Sequence, residues 1–113
     1  MIRFLNPLFT TETTHDKGDE VKSLINDGVG LSFVYVITLS ETEADVFDIF
    51  NIMMFKQPAF RNRDYDIVGL AENEEAAYEL VGNIISAYQR QYGTYSGIKS
   101  ELRNRLDNQE SDR

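Results

Sequence analysis

The sequence predicts an α/β fold, a small two-layer sandwich with a central βαβ unit. The dense apolar run "SFVYVITLS" reads as a buried strand, and helix-start chemistry follows it at once at Ser40. A second run, "YDIVGLA", leads directly into the amphipathic stretch "ENEEAAYELVGNIISAYQRQYG". Strand, helix, strand, helix in that order implies a right-handed crossover between parallel strands. A ferredoxin-like α+β arrangement with an antiparallel edge is the alternative.

Taken in chain order, "IRFL" suits an edge strand that ends at Pro7, which has no N–H to give to a ladder. "TTETTHDKGD" reads as a polar loop and "DEVKSLINDG" as a short helix stopped by Gly28. The central strand is expected from Phe33 to Leu39. Ser40, with Glu43 three residues on, has the capping-box spacing, so a helix is expected over 41–55. Val46, Phe47, Phe50, Met53 and Met54 would form its apolar stripe. Glu41, Glu43, Asp45 and Asp48 would sit in its first turns, where the helix dipole favours negative charge. Ile49, Ile52 and Phe55 widen the stripe, so this segment needs cover from the sheet and from something else: another helix, the N-terminal arm or a second subunit.

The second strand is expected over 65–71 and the clearest helix over 74–92. Asn73 is its natural N-cap, Glu74 and Glu75 follow, and Gly93 suits the left-handed C-cap position. Gly82, inside that helix, costs about 1 kcal/mol relative to alanine and suggests a close backbone approach. Beyond it, "YSGIKSELRNRL" reads as a marginal helix and "DNQESDR" as a disordered tail. The organisation is thus one globular domain over 1–95 with residues 96–113 appended.

Composition bounds function more by exclusion. With 113 residues and 42% hydrophobic content, the chain fits one domain with its own core. Eleven Lys plus Arg against 19 Asp plus Glu give a net charge of −8, which repels nucleic-acid backbones and anionic membranes. The absence of cysteine removes thiol chemistry and Cys-based metal sites. No apolar run approaches the roughly 20 residues that span a bilayer, and "MIRFLNPLF" lacks the features of a signal peptide. A cytoplasmic protein is the expectation, and nothing calls for a cofactor or a metal.

The opening "FLNPLF", the "VYVITLS" strand and the basic loop leading into "YDIVGLAENEEAAYELVGNII" resemble a group of small bacterial hypothetical proteins of unassigned function. The resemblance covers most of Met1 to Tyr92. Its motifs are structural, so it implies a fold and no activity.

Each candidate site has a plainer reading beside it. Beyond the carboxyl ends of the expected strands lie Ser40 and Glu41 at one and Glu72 and Asn73 at the other, where open α/β sheets bind ligands; helix capping accounts for Ser40 and Asn73 equally. His15, near Asp16, Asp19 and Glu20, reads as a solvated loop residue. "DGVG" comes before a strand, the wrong order for a phosphate-binding loop. Tyr78, Tyr88, Tyr92 and Tyr95 do not share one helical face, which favours packing over base stacking.

The stretch "KQPAFRNRD" reverses the local charge sign with Lys56, Arg61 and Arg63 around Phe60. Two arginines in that spacing can fork a carboxylate or phosphate, or merely neutralise the acidic surface. A third use is self-association or docking to an acidic protein, since Arg and Phe favour interfaces. No nucleophile, general-base pair or metal cluster stands out. The expected function is a non-catalytic interaction or regulatory module, with a binder of a small anionic metabolite or nucleotide as the alternative.

Overall fold

The structure is a computed structural model that describes residues 1–27 and 34–111. Strands β1 (Ile2–Thr10), β2 (Tyr35–Leu39), β3 (Phe47–Asn51) and β4 (Tyr65–Ala71) form one sheet in the order β1-β4-β2-β3. Helices α1 (Gly18–Asp27), α2 (Pro58–Arg61), α3 (Glu74–Tyr92) and α4 (Ile98–Ser111) complete an α/β sandwich. β1 pairs with β4 in parallel, whereas β2 is antiparallel to both β4 and β3.

The strands are apolar on both faces because both faces are covered. Leu5, Ile37, Leu39, Val68 and Ala71 pack under α3 and α4 with Ala77, Ile98, Leu102 and Leu106. Their alternates Val36, Ile67 and Leu70 point the other way, onto Val21, Leu24 and Ile25 of α1 and onto Ile52 and Phe55. The alternation slips one step at Gly69, where β4 carries a bulge opposite β2 and β1 loses register between Phe4 and Phe9. A Cβ on Gly69 would meet the Phe9 carbonyl oxygen at 3.0 Å and Ile37 Cδ1 at 3.3 Å, so only glycine lets the strands approach this closely. The Asn6–Pro7 peptide in the β1 irregularity is cis.

The helix expected over 41–55 does not form. Residues 40–46 make a hairpin loop, 47–51 are β3, and Ile52–Lys56 wind into a 3-10 turn. Ser40 and Glu43 carry capping spacing, but Ser40 Oγ accepts from the Thr42 amide at 3.2 Å, and the Ser40 N–H donates to the Val46 carbonyl at 3.0 Å, closing the hairpin. The over-wide apolar stripe has a simple cause: Phe47 and Ile49 face α3, Phe50 faces the other layer, and Ile52 and Phe55 are buried there. A strand between two layers looks apolar all round, as this segment does.

With that helix gone, the expected crossover goes too. The strands at 35–39 and 65–71 are antiparallel neighbours, and the parallel pair is β1 with β4. β1 does not stop at Pro7 but runs to Thr10. The C-terminal stretch is also more ordered than its polarity suggests: α4 continues to Ser111, through the segment expected to be a disordered tail, and buries Ile98, Leu102 and Leu106 at spacings of four. A Cβ on Gly82 would meet nothing within 4 Å, so no close backbone approach explains that glycine.

Helix α3 follows its sequence closely. Asn73 Oδ1 accepts from the Ala76 N–H at 2.7 Å, and Gly93 closes the helix at φ 77°. Helix α1 spans the expected "DEVKSLIND" segment, while Gly28 and Phe33 lie outside the described residues. Among the described residues, no helix is long and apolar enough to cross a membrane.

Candidate functional site

Antiparallel pairing separates the residues that the sequence placed together. Ser40 and Glu41 end β2 beside the start of β4, whereas Glu72 and Asn73 lie past the other end of β4. Ser40 is buried, its carbonyl accepts from Arg103 at 3.3 Å and its hydroxyl meets Thr42 at 3.0 Å. Glu41 is exposed on the hairpin loop. Asn73 serves as the α3 cap.

Glu72 stands beside the turn that follows β1. Its own backbone N–H, then the Thr13 and Thr11 hydroxyls, hold its carboxyl below the usual range. Thr14, buried next to them, donates its hydroxyl to the Leu70 carbonyl at 2.9 Å. The Thr14 bond stitches the 11–14 turn to the end of β4. Glu72 Oε1 is buried with no hydrogen-bond partner among the described residues, and the negative charge of the carboxylate disfavours an anionic ligand here.

The basic loop also disperses. The Phe60 ring packs inward, 5.1 Å from Phe50, 5.0 Å from Phe55 and 5.1 Å from Tyr65 between centroids, and Tyr65 Oη donates to the Phe60 carbonyl at 2.9 Å. This aromatic cluster fixes α2 against the sheet. Lys56 is exposed at the end of the 3-10 turn, Arg61 is half-buried at the end of α2, and Arg63 lines a cleft with Glu41, Asp48 and Asp64. Phe60 is therefore part of the packed aromatic cluster and not an exposed anchor for Arg61 and Arg63.

An adjoining cleft of about 330 Å³ is walled by an ion network. Arg3 Nε and Nη2 donate to the two Asp66 oxygens at 2.8 and 3.1 Å, and Arg3 Nη1 reaches Asp107 at 2.6 Å. Arg103 Nε adds a 3.6 Å contact to Asp66, and the N-terminal ammonium pairs with Asp64. Hydrogen bonding to Asp66, and next to Asp107, raises the Arg3 pKa. The bidentate Arg3–Asp66 pair is partly buried and ties β1 to β4, and Asp107 extends the network to α4.

His15 is exposed and its Nδ1 lies 2.7 Å from the Glu12 carbonyl. Among the described residues, no group of three or more His, Cys, Asp or Glu side chains could hold a metal ion. Tyr78, Tyr92 and Tyr95 are exposed, and only Tyr88 and Tyr92 meet, with centroids 4.4 Å apart. A shallow apolar groove of about 170 Å³ lies between α3 and α4, lined by Phe9, Ile84, Tyr88, Tyr92 and Leu102.

The sheet's two edges differ most. Sheet order leaves β1 and β3 outermost. On β1, the Gln109 side chain of α4 accepts from the Asn6 N–H at 2.9 Å and donates to the Phe4 carbonyl at 3.2 Å, a side-chain amide standing in for a neighbouring strand.

On β3, the Ser40–Val46 and Val34–Ile52 bonds set the phase of the ladder. Even-numbered residues face β2, and the main-chain N–H and C=O groups of Phe47 and Ile49 and the N–H of Asn51 face outward. Among the described residues, no strand pairs with that side. No family model, curated protein or solved structure matches the chain.

What the site can do therefore rests on its own geometry. The open edge is flanked by exposed Met53 and Met54 at one end and by the acidic hairpin loop with Glu41, Glu43 and Asp45 at the other. Sequence reasoning missed it because 47–51 was assigned to a helix. Phe47, Asp48 and Ile49 begin an alternation, but Phe50 and Asn51 break it, so pattern alone does not separate strand from helix here.

Proposed function

We propose that the protein is a non-catalytic, cytoplasmic interaction module that docks a strand of another chain along the outer side of β3. The observation that carries this reading is the contrast between a β1 edge sealed by Gln109 and a β3 edge whose main-chain groups face outward. Strand addition draws affinity from such groups and specificity from alternate side chains.

The alternative, a small anionic ligand at the basic loop or strand ends, has less support. Glu41, Asp48 and Asp64 surround Arg63, Asp66 already engages Arg3, and Glu72 occupies the other strand end. Carboxylates in these positions repel an anion.

A photo-crosslinking residue in place of Met53, beside the edge, tests the reading in cells, with the exposed Asn83 of α3 as the control position. Protein adducts from position 53 that exceed those from 83, and that vanish when Ile49→Pro is added, are the expected result. No adduct at 53 would overturn it. So would thermal stabilisation by an anionic metabolite that Arg63→Ala abolishes while the adducts persist unchanged in Ile49→Pro.

A further inference from the structure

We infer that the strand docked on β3 is β3 of a second copy, paired antiparallel about a two-fold axis at Ile49. This rests on the reading of β3 as the docking edge. A two-fold interface must be complementary to itself, and the phase of the β3 ladder allows that. With the axis at Ile49, each Ile49 N–H donates to the partner's Ile49 carbonyl. Each Asn51 N–H donates to the partner's Phe47 carbonyl. All of these groups point outward on β3.

The side chains choose this register. Asp48 and Phe50 lie on the same face, opposite to Phe47 and Ile49. An axis at Ile49 sets Asp48 across from the partner's Phe50. Moving the axis to Asp48 would set two carboxylates directly opposite each other, which is unfavourable. Moving it to Phe50 would leave Phe47 facing the 3-10 turn, beyond the end of the partner strand.

Charge and apolar area complement each other in the same orientation. Antiparallel pairing brings the 3-10 turn of one copy, with exposed Lys56, Met53 and Met54, beside the hairpin loop of the other, where Glu41, Glu43 and Asp45 are exposed. Arg63 already neighbours Glu41 of this loop within one copy, and the second copy adds Lys56 to the same acidic loop. β1 admits no such pairing, because Gln109 occupies the Asn6 and Phe4 groups.

The test is sedimentation equilibrium of the purified protein with hydrogen exchange read at individual amides. Wild type is expected to dimerise, with the Ile49 and Asn51 amides gaining protection as concentration rises. Ile49→Pro removes an outward donor and leaves the β2-facing bonds in place, so it should weaken association by about a hundredfold or more. Ile49→Ala loses side-chain packing but keeps the N–H, and should stay dimeric; it separates docking from folding.

Ile49→Cys gives a second, independent readout in a chain that has no cysteine. Residues facing each other in a bonded antiparallel pair have Cα atoms about 5.5 Å apart, within the disulfide range of about 4.4–6.8 Å. Mild oxidation should therefore link the copies through residue 49. A monomeric wild type, or a dimer that survives Ile49→Pro and does not crosslink through Cys at 49, would overturn the self-pairing. Position-53 adducts to a different protein, lost in Ile49→Pro, would in that case leave the docking function standing.

Discussion

The two edges of the sheet meet the same hazard, unpaired main-chain groups, in opposite ways. β1 is irregular, loses register between Phe4 and Phe9, is clamped at Arg3 by Asp66 and is capped by Gln109. β3 is regular over five residues and holds an unbroken register with β2. Among the described residues its edge carries no side-chain clamp save the Asn51 side chain, which caps the 3-10 turn. Proteins usually blunt an edge by bulges, charges or cover. Here one edge has all three and the other keeps a single aspartate, so an open β3 is better explained by use than by neglect.

That contrast can be broken most forcefully through α4. Leu106→Ala, at a site 1% exposed under the sheet, should cost about 2–5 kcal/mol and loosen the Gln109 cap with it. Urea denaturation would show the loss, and amide exchange at Asn6 would show the β1 edge opening while Ile49 stays unchanged. Gly69→Ala should cost about 1–3 kcal/mol, because its Cβ would strike the Phe9 carbonyl oxygen at 3.0 Å. Faster exchange along β1 from Phe9 to Thr10 is the accompanying sign.

Arg3→Met tests the clamp itself. The Arg3–Asp66 pair has side chains only 20% and 17% exposed, so its loss should cost about 1–3 kcal/mol; the more exposed Asp107 and Glu110 contacts add little. A denaturation midpoint unchanged from wild type would show that the ion network does not help to seal the edge. The smallest effect belongs to Gln109→Ala, about 0.5–1 kcal/mol, since water can reach the freed groups. Its sharper signature is association: if capping is what keeps β1 single, this variant should form larger species than wild type in sedimentation.

Much of the fold was legible in the sequence where local signals agreed. The α3 boundaries, its Asn73 and Gly93 caps, and the strands at 35–39 and 65–71 all follow from short-range pattern. The 41–55 segment misled because its capping residues and apolar spacing satisfy a helix as well as a hairpin; only the neighbouring β2 decides between them. α4 looked marginal because its polar residues outnumber its apolar ones, yet Arg3, Asn6 and Phe4, more than a hundred residues away, supply partners to Asp107 and Gln109.

The candidate residues fared unevenly for the same reason. Phe60, Ser40 and Asn73 turned out to be packing and capping groups, while Lys56 is exposed next to the open edge. A site made of backbone atoms leaves no residue type to find. Its only trace in the sequence is a short apolar run over 47–51, which a helix stripe and a strand covered on both faces share.

The Gln109 cap also sets an order of events. The cap reaches Asn6 across 103 positions of chain, so a growing polypeptide displays β1 long before the residue that seals it has been made. Pairing between segments distant in the chain comes late in folding. A sheet assembled before Gln109 is in place has two open borders, and the completed protein, among its described residues, has one.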